Sequence, residues 1–322
     1  MDSGEVPSWR ERTEIDLRRA GTGLDAMEAD ASLFAPRNLE ARSRALDELA
    51  FLQELFRMRG LDMDEPLVAR ARSLQRGLEE VDERLFRRMR QRIRAGGYTP
   101  RSLRAALERY AGYRPAQRAG LIAGYDALDV LVHGLLLPNP TPEETVIRSP
   151  EMVQYEATPA RAALAMIDDA QIGPEDVFYD LGAGLGHIVI LVHLLTGAQA
   201  RGVEVEPAFC AYARASAEEL RLSGVRFIAA DARQADYGEG TVFFLFTPFR
   251  GAMLRAVLGR LQEQAARRTI RVCTYGTCTH EVAKALWLQV QDADMVHDFR
   301  LAVFRSVPQG NDRTPSLSSD GA

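Results

Sequence analysis

The sequence contains few cysteines, which excludes one common way of stabilising a small fold. Its three cysteines, Cys210, Cys273 and Cys278, form an odd and sparse set within 322 residues. A disulfide framework normally uses an even number of cysteines at higher density. We therefore expect a cytoplasmic protein whose thiols are reduced. Cys273, Cys278 and His280 lie close in sequence, but a structural zinc site needs a fourth ligand, so no metal is predicted.

The sequence also lacks a long apolar run. The longest, residues 187–195, is half of the roughly 18 residues that a membrane-spanning helix requires. The first residues, MDSGEVPSWRER, have no apolar stretch of the signal-peptide type. No membrane association is predicted.

Lysine is almost absent, and positive charge is not in excess. Of the 40 basic residues only Lys284 is a lysine, and the formal net charge is −5. Residues 1–150 carry 24 arginines and 24 acidic residues, so the whole negative excess lies in the remainder. Proteins that bind nucleic acid through its phosphates usually show a basic excess. Nucleic acid is therefore not an expected partner.

The pattern of residues 1–140 predicts an N-terminal domain made only of helices. Apolar residues recur at helical spacing, and glycines or prolines mark the ends of each segment. The second helix carries a near-heptad apolar seam, which favours a helical hairpin and offers a surface for homodimer formation. We expect this domain to act as a lid over a ligand pocket or as a substrate or assembly domain. The predicted helices cover 39–60, 66–96, 99–111 and 115–137.

The character of the chain changes after a proline-rich linker at 138–150, PNPTPEETVIRSP. Strand-like and helix-like segments then alternate, which predicts an α/β fold with a mostly parallel sheet covered on both faces. The tail at 308–322 is predicted to be disordered. The strand predictions are 177–180, 200–205, 225–229, 241–246 and 269–275, with two further short strands within 295–307. The helix predictions are 186–196, 207–222, 250–265 and 279–290.

A glycine-rich stretch, VFYDLGAGLGH at 177–187, joins the first predicted strand of this region to a helix. Ligands of open α/β sheets bind at the carboxyl ends of the strands. A dinucleotide-binding loop would place a third glycine where His187 stands. The shorter loop, with Asp180 two positions ahead of it, instead suits a ligand whose amino-acid part lies against the glycines. The loop residues predicted to contact that ligand are Gly182, Ala183, Gly184 and Gly186.

The next two predicted strands each end in a carboxylate. The second predicted strand ends in GVEVEP, and this segment contains Glu204. A carboxylate at this strand end can accept hydrogen bonds from both hydroxyls of a ribose. Asp231 closes IAADA, where its side chain can meet an adenine amino group. Three polar features at three successive strand ends predict a nucleoside-binding site at this edge of the sheet.

These motifs resemble the successive cofactor motifs of class I S-adenosylmethionine (SAM)-dependent methyltransferases. Within that class, YEATPARAALAMIDDAQIGPEDVFYDLGAGLGHIVI and GVEVEPAFCAYA are most similar to the disruptor-of-telomeric-silencing (non-SET) histone-lysine methyltransferases and their bacterial relatives. The resemblance covers roughly 150–307. It implies a Rossmann-like seven-stranded sheet with an antiparallel last strand, and SAM as the cofactor.

The resemblance also assigns residues to the cofactor. Tyr155, Glu156 and Thr158 would line its methionine end. Together with the glycine loop and the two strand ends, the predicted cofactor-binding set is Glu156, Thr158, Asp180, Gly182, Ala183, Gly184, Gly186, Glu204, Val205, Asp231, Ala232 and Thr247.

The stretch after the fourth strand departs from the histone-lysine subfamily. Such enzymes usually carry an asparagine-centred motif there, whereas this sequence has FTPF, with a hydroxyl at Thr247 and an aromatic ring at Phe249. The acceptor, a protein side chain or a small molecule, is therefore left open. The candidate catalytic residues near the predicted acceptor are Tyr155, Thr247, Phe249 and Tyr275.

Two other classes remain as alternatives at this point. One is an NAD(P)-dependent oxidoreductase, against which His187 in place of the third glycine counts. The other is a non-catalytic binding module that has kept the fold. The joint presence of Asp180, Glu204 and Asp231 favours the methyltransferase.

Overall fold

The computed structural model describes residues 9–62, 65–112 and 124–307. Their contacts divide the chain into two compact units. The helical unit contains the described residues up to 140 together with 216–222, and the sheet unit contains 141–215 and 223–307. The predicted disordered tail and the first part of the predicted helix 115–137 lie outside the described residues.

The described part of the helical unit contains five α-helices. Helix starts follow local signals: Pro66 opens one helix, and the Thr99 hydroxyl accepts the backbone N–H of Ser102 at 3.2 Å at the start of another. The sequence predicted four of these helices but not the first one. The bounds are α1 Trp9–Ala29, α2 Leu39–Met58, α3 Pro66–Arg94, α4 Pro100–Ala111 and α5 Ala127–Leu136.

A buried ion pair joins two helices inside this unit. The Arg42 side chain of α2 is fully buried, and its Nε donates to Asp82 Oδ1 of α3 at 2.7 Å. Arg42 Nη1 also donates to the carbonyl oxygens of Leu33 and Ala35 at 2.9 and 3.0 Å. These bonds offset the cost of burying the guanidinium group and fix α2 against α3.

The sheet unit is built on a seven-stranded sheet of order β3-β2-β1-β4-β5-β7-β6. Strands β1 to β5 are parallel, and β7 runs antiparallel to both β5 and β6. This confirms the predicted α/β fold with an antiparallel last strand. The strands are β1 Val177–Leu181, β2 Gln199–Glu204, β3 Val225–Ala229, β4 Val242–Phe246, β5 Arg271–Tyr275, β6 Leu288–Val290 and β7 Ala302–Ser306.

Helices follow the strands and bury apolar side chains against them. β1 and β4 are buried almost throughout, as expected of central strands covered on both faces. The chain order reverses at β1, which has β2 on one side and β4 on the other. This switch point is where open sheets bind ligands. The helices are α6 Ala160–Asp169, α7 His187–Thr196, α8 Pro207–Glu219, α9 Gly251–Ala265 and α10 Cys278–Val282.

Two predictions near the end of the sheet are wrong. The helix predicted at 279–290 ends at Val282, and its last residues form β6 instead. The two strands predicted within 295–307 are a single strand, β7, which pairs with β6. Leu288 to Val290 supply a short edge for β7, and Leu286 is 96% exposed, so no continuous apolar face extends a helix through this stretch.

Candidate active site

The glycine loop between β1 and α7 is shaped by the protein's own side chains. Gly182, Gly184 and Gly186 have φ angles of 92°, 52° and 83°, in the left-handed region that favours glycine. A Cβ at Gly184 would overlap the Tyr155 ring, and one at Gly182 would overlap Pro248. The glycines therefore let two other segments of the pocket approach the loop closely.

Glu204, at the end of β2, holds this loop in place. Its Oε2 accepts the N–H of Gly184 at 2.8 Å, and its Oε1 accepts the N–H of Glu206 at 2.8 Å. Burial raises the pKa of the Glu204 carboxyl, and the backbone hydrogen bonds act in the opposite direction. A carboxylate offers about four lone-pair sites, so Glu204 can accept further hydrogen bonds from a ligand.

Asp180 lies beside Glu204, inside β1, and is 4% exposed. Burial and then the nearby Glu204 carboxylate raise the pKa of Asp180 to about 8. At neutral pH the group therefore holds a proton. A cation placed beside it would favour the ionised form and complement both carboxyl groups.

Residues 151–158 form a loop that is fastened at both ends. The Val153 N–H donates to the Pro248 carbonyl at 3.1 Å, so the loop runs beside the segment after β4. At its other end, His187 Nε2 lies 3.1 Å from the Thr158 carbonyl oxygen. Tyr155 packs edge-on to Phe209, with ring centroids 5.3 Å apart. The loop thus brings Tyr155 against the glycine loop.

Thr247, directly after β4, has an unusual backbone. Its φ is 38°, in the left-handed region, where a β-branched residue is strained. Its Oγ1 accepts the N–H of Cys278 at 3.2 Å, which ties it to the start of α10. Such strain needs support from the surroundings, and it fixes the direction of the Thr247–Phe249 segment.

Most of the predicted site residues line one pocket, which lies wholly within the sheet unit. These are Tyr155, Glu156, Thr158, Asp180, Gly182, Ala183, Glu204, Val205, Ala232, Thr247 and Phe249.

Four predicted residues do not line the pocket. Gly184 and Gly186 shape the loop from behind. The Asp231 carboxylate instead binds the Arg233 side chain, with Nη2 at 2.6 Å from Oδ2, and this pairing lowers the pKa of Asp231. Tyr275 is buried, with its ring tilted against Phe246 at 5.0 Å between centroids.

Sequence reasoning missed two carboxylates that accept backbone N–H groups at the starts of helices beside the pocket. Glu151 accepts the N–H of Ala252 at 2.7 Å, at the start of α9. Glu206 accepts the N–H of Ala208 at 3.0 Å at the start of α8. Pro207, at the first position of α8, is a recognisable helix-start signal. The bonds that Glu206 makes to residues 145 and 146 cross about 60 positions of sequence, and no local pattern could have indicated them.

The described residues contain no group of three or more His, Cys, Asp or Glu side chains arranged to hold a metal ion. In the same part of the chain, no helix has both the length and the apolar character needed to cross a membrane.

Residues 152–239 match the model of a family described as "Histone methylation protein DOT1". This stretch contains the Tyr155 loop, the glycine loop, Glu204 and Asp231. With the sheet topology it defines the class of the sheet unit, a SAM-dependent methyltransferase of class I fold. A comparison with functionally curated proteins finds no match to the chain.

Solved structures similar to the chain include several methyltransferases. An RNA methyltransferase from Salinibacter ruber, in complex with S-adenosyl-L-homocysteine (SAH), is 26% identical over 49% of this chain and 97% of that one, with a TM-score of 0.40. A geranyl diphosphate C-methyltransferase from Streptomyces coelicolor is 23% identical over 36% of this chain and 45% of that one, with a TM-score of 0.30. A precorrin-6y C5,15-methyltransferase from Geobacter metallireducens is 14% identical over 49% and 93%, with a TM-score of 0.38. Likenesses of this size say nothing about the acceptor of this chain.

Proposed function

We propose that the chain transfers the methyl group of SAM to an acceptor that binds at the Thr247–Phe249 end of the pocket. One observation carries the proposal. Asp180 and Glu204 face the same pocket as the Tyr155 loop and the segment after β4. A carboxyl pair, an aromatic loop and a strained strand end thus meet at the switch point of the sheet.

The residues of the pocket suit this cofactor. Asp180, buried beside Glu204, suits the cofactor's ammonium group, because a cation there relieves the repulsion between the two carboxyl groups. Glu204 keeps free lone pairs for ribose hydroxyls, and Val205 and Ala232 offer short side chains for the adenine. Glu156 and Thr158 would flank the methionine end. Gly182 and Ala183 form the floor, Gly184 and Gly186 shape the loop behind it, and Asp231 would have to break its pairing with Arg233 to reach the adenine.

The bound cofactor supplies an activated methyl group, so the protein mainly has to align the acceptor and exclude water. We infer that Tyr155, Thr247 and Phe249 do this. Their position in the pocket wall, on segments fixed by backbone hydrogen bonds, supports the inference. Tyr275 acts behind them by packing against Phe246. The Thr247 hydroxyl donates to the Tyr275 carbonyl at 3.4 Å and accepts the Cys278 N–H at 3.2 Å, so it can only accept one further hydrogen bond, from the acceptor or a water molecule.

The acceptor is proposed to be a protein side chain or a small molecule of a type that this pocket selects. The family match ends at residue 239, whereas Thr247–Phe249 lies beyond it. The matched residues therefore support cofactor binding, and they carry no argument for a histone. The hydroxyl and ring at 247 and 249 differ from the asparagine expected of the histone-lysine subfamily.

Calorimetry with SAH tests this function. The wild-type protein should bind SAH in preference to NADH, and Glu204→Gln should weaken SAH binding at least about tenfold, since it removes a charged acceptor. Glu175→Gln, at an exposed position of the same unit, is the matched control and should bind like wild type. Binding of NADH without SAH would instead favour the oxidoreductase, and SAH binding that Glu204→Gln leaves unchanged would contradict the assigned site.

A further inference from the structure

Residues 144–148 form one wall of the pocket, and a buried carboxylate outside the predicted site holds them there. Glu144, Val146 and Arg148 line the pocket. We call residues 144–148 the strap. The strap belongs to the stretch that the sequence predicted to be a linker, yet it reaches the same pocket as Glu204.

The strap is attached through Glu206. The N–H groups of Thr145 and Val146 both donate to Glu206 Oε2 at 2.8 Å. The Thr145 hydroxyl donates to Glu206 Oε1 at 2.8 Å. Thr145 itself is exposed.

The arrangement needs an ionised carboxylate with both oxygens free to accept. Glu206 is 5% exposed, and every group that it binds is a donor. Burial raises the pKa of Glu206, but the hydrogen bonds from Ala208, Val146 and Thr145 outweigh burial and lower the pKa to about 2. The group is therefore charged across the physiological range, and hydrogen bonds to a charged acceptor are the stronger kind.

We propose that Glu206 is a positioning residue for the cofactor, which latches the strap across the pocket at its Glu204 end. The backbone of Glu206 is tied directly to the Glu204 carboxylate, because the Glu206 N–H donates to Glu204 Oε1 at 2.8 Å. A strap that is released would leave the ribose end of the pocket open to water and lose the wall that Val146 supplies. This inference rests on the proposed function, since it assumes that the pocket binds SAM.

Two variants separate the latch from the helix cap that the same side chain makes. Glu206→Asp keeps a charged residue that is favoured at helix starts, so α8 should still be capped. Its side chain is one methylene shorter, so it should no longer reach the strap. Thr145→Val removes the hydroxyl bond at an exposed position, where unfolding is not expected.

The experiment measures SAH binding by calorimetry and the hydrogen exchange of the Thr145 and Val146 amides. Glu206→Asp should raise the Kd for SAH about tenfold or more and speed exchange of both amides, while circular dichroism stays that of wild type. Thr145→Val should raise the Kd about two- to tenfold, and the matched control Glu175→Gln should change neither quantity.

Three results would overturn the latch. The first is an equal Kd for SAH in the Glu206→Asp, Thr145→Val and Glu175→Gln proteins. The second is fast exchange of the Thr145 and Val146 amides in the wild-type protein. If Glu206→Asp fails to fold, Thr145→Val decides alone, and an unchanged Kd would then contradict the proposal. A wild-type protein that does not bind SAH would refute the proposed function itself, while exchange in the unliganded protein would still report whether the strap is attached.

Discussion

Asp180 and Glu204 are neighbouring buried carboxyl groups with different environments. Glu204 accepts two backbone N–H groups, whereas burial and the Glu204 charge raise the pKa of Asp180 to about 8. Asp180 therefore holds a proton at neutral pH when no ligand is bound. A ligand with an ammonium group converts Asp180 to the charged form, and this gives the site a measurable proton balance.

We predict that SAH binding at pH 7 releases a proton from Asp180. The pKa in the free protein lies above this pH and a bound ammonium group lowers it, so the bound form holds fewer protons. Calorimetry in two buffers of different ionisation enthalpy measures the release. The release should shrink above about pH 8, where Asp180 is already ionised.

Asp180→Asn is the control for this proton balance, because it keeps the side-chain shape and cannot titrate. The variant should bind more weakly, with the same heat in both buffers. Equal heats for the wild-type protein in the two buffers would show that Asp180 does not change protonation on binding.

At the scale of single elements, the glycine loop illustrates what a sequence can reveal. Its position between a strand and a helix was predictable because glycine clusters are costly in regular structure. The reason why each position needs a glycine could not be predicted. The rings that approach the loop belong to Tyr155, Phe227 and Pro248, which come from distant parts of the chain. Neither local pattern nor spacing encodes which side chains will approach the loop.

Gly184→Ala should destabilise the protein by about 1–3 kcal/mol, because the added Cβ overlaps the Tyr155 ring at a left-handed φ. The displaced ring should also weaken SAH binding. Gly173→Ala is the matched control, since its Cβ would meet nothing within 4 Å and its φ is ordinary.

Urea denaturation and calorimetry test the glycine pair together. Equal free energies of unfolding for Gly184→Ala and Gly173→Ala would show that the loop accommodates a side chain.

Contacts between distant parts of the chain, which local patterns do not encode, also explain the elements that were predicted wrongly. The five parallel strands were located within two residues, because buried strands between helices form short apolar runs. The stretch 279–290 has apolar residues at spacings that suit a helix, yet its end pairs with β7. Pairing with a distant strand therefore made residues 288–290 a strand and not the end of a helix. Glu206 was missed for the same reason, because its partners at 145 and 146 are remote in sequence.

At the scale of the whole molecule, the sequence predicts a change from helices to alternating strands and helices near residue 140. The contacts separate a helical unit from a sheet unit at 140, and the sheet unit carries the pocket. What the sequence could not indicate is how the helical unit holds itself together. A fully buried arginine, Arg42, pairs there with Asp82, 40 positions along the chain.

We predict that Arg42→Met lowers the free energy of unfolding by about 3–5 kcal/mol, because it leaves Asp82 buried without its cation. The double variant Arg42→Met with Asp82→Leu should recover most of this loss, since neither charge remains. Arg44→Met removes an exposed arginine from the same helix and should change stability by less than about 0.5 kcal/mol. An Arg42→Met variant as stable as the wild-type protein, measured by urea denaturation, would show that the pair does not stabilise the unit.

The most direct measurement for the whole account is a crystal structure of the protein with SAH. We predict that its ammonium group lies within hydrogen-bond distance of Asp180 and its ribose hydroxyls within hydrogen-bond distance of Glu204. The sulfur should face Tyr155 and the Thr247–Phe249 segment. SAH bound at another place, or bound with its ribose away from Glu204, would contradict the assignment of this pocket as the methyl-transfer site.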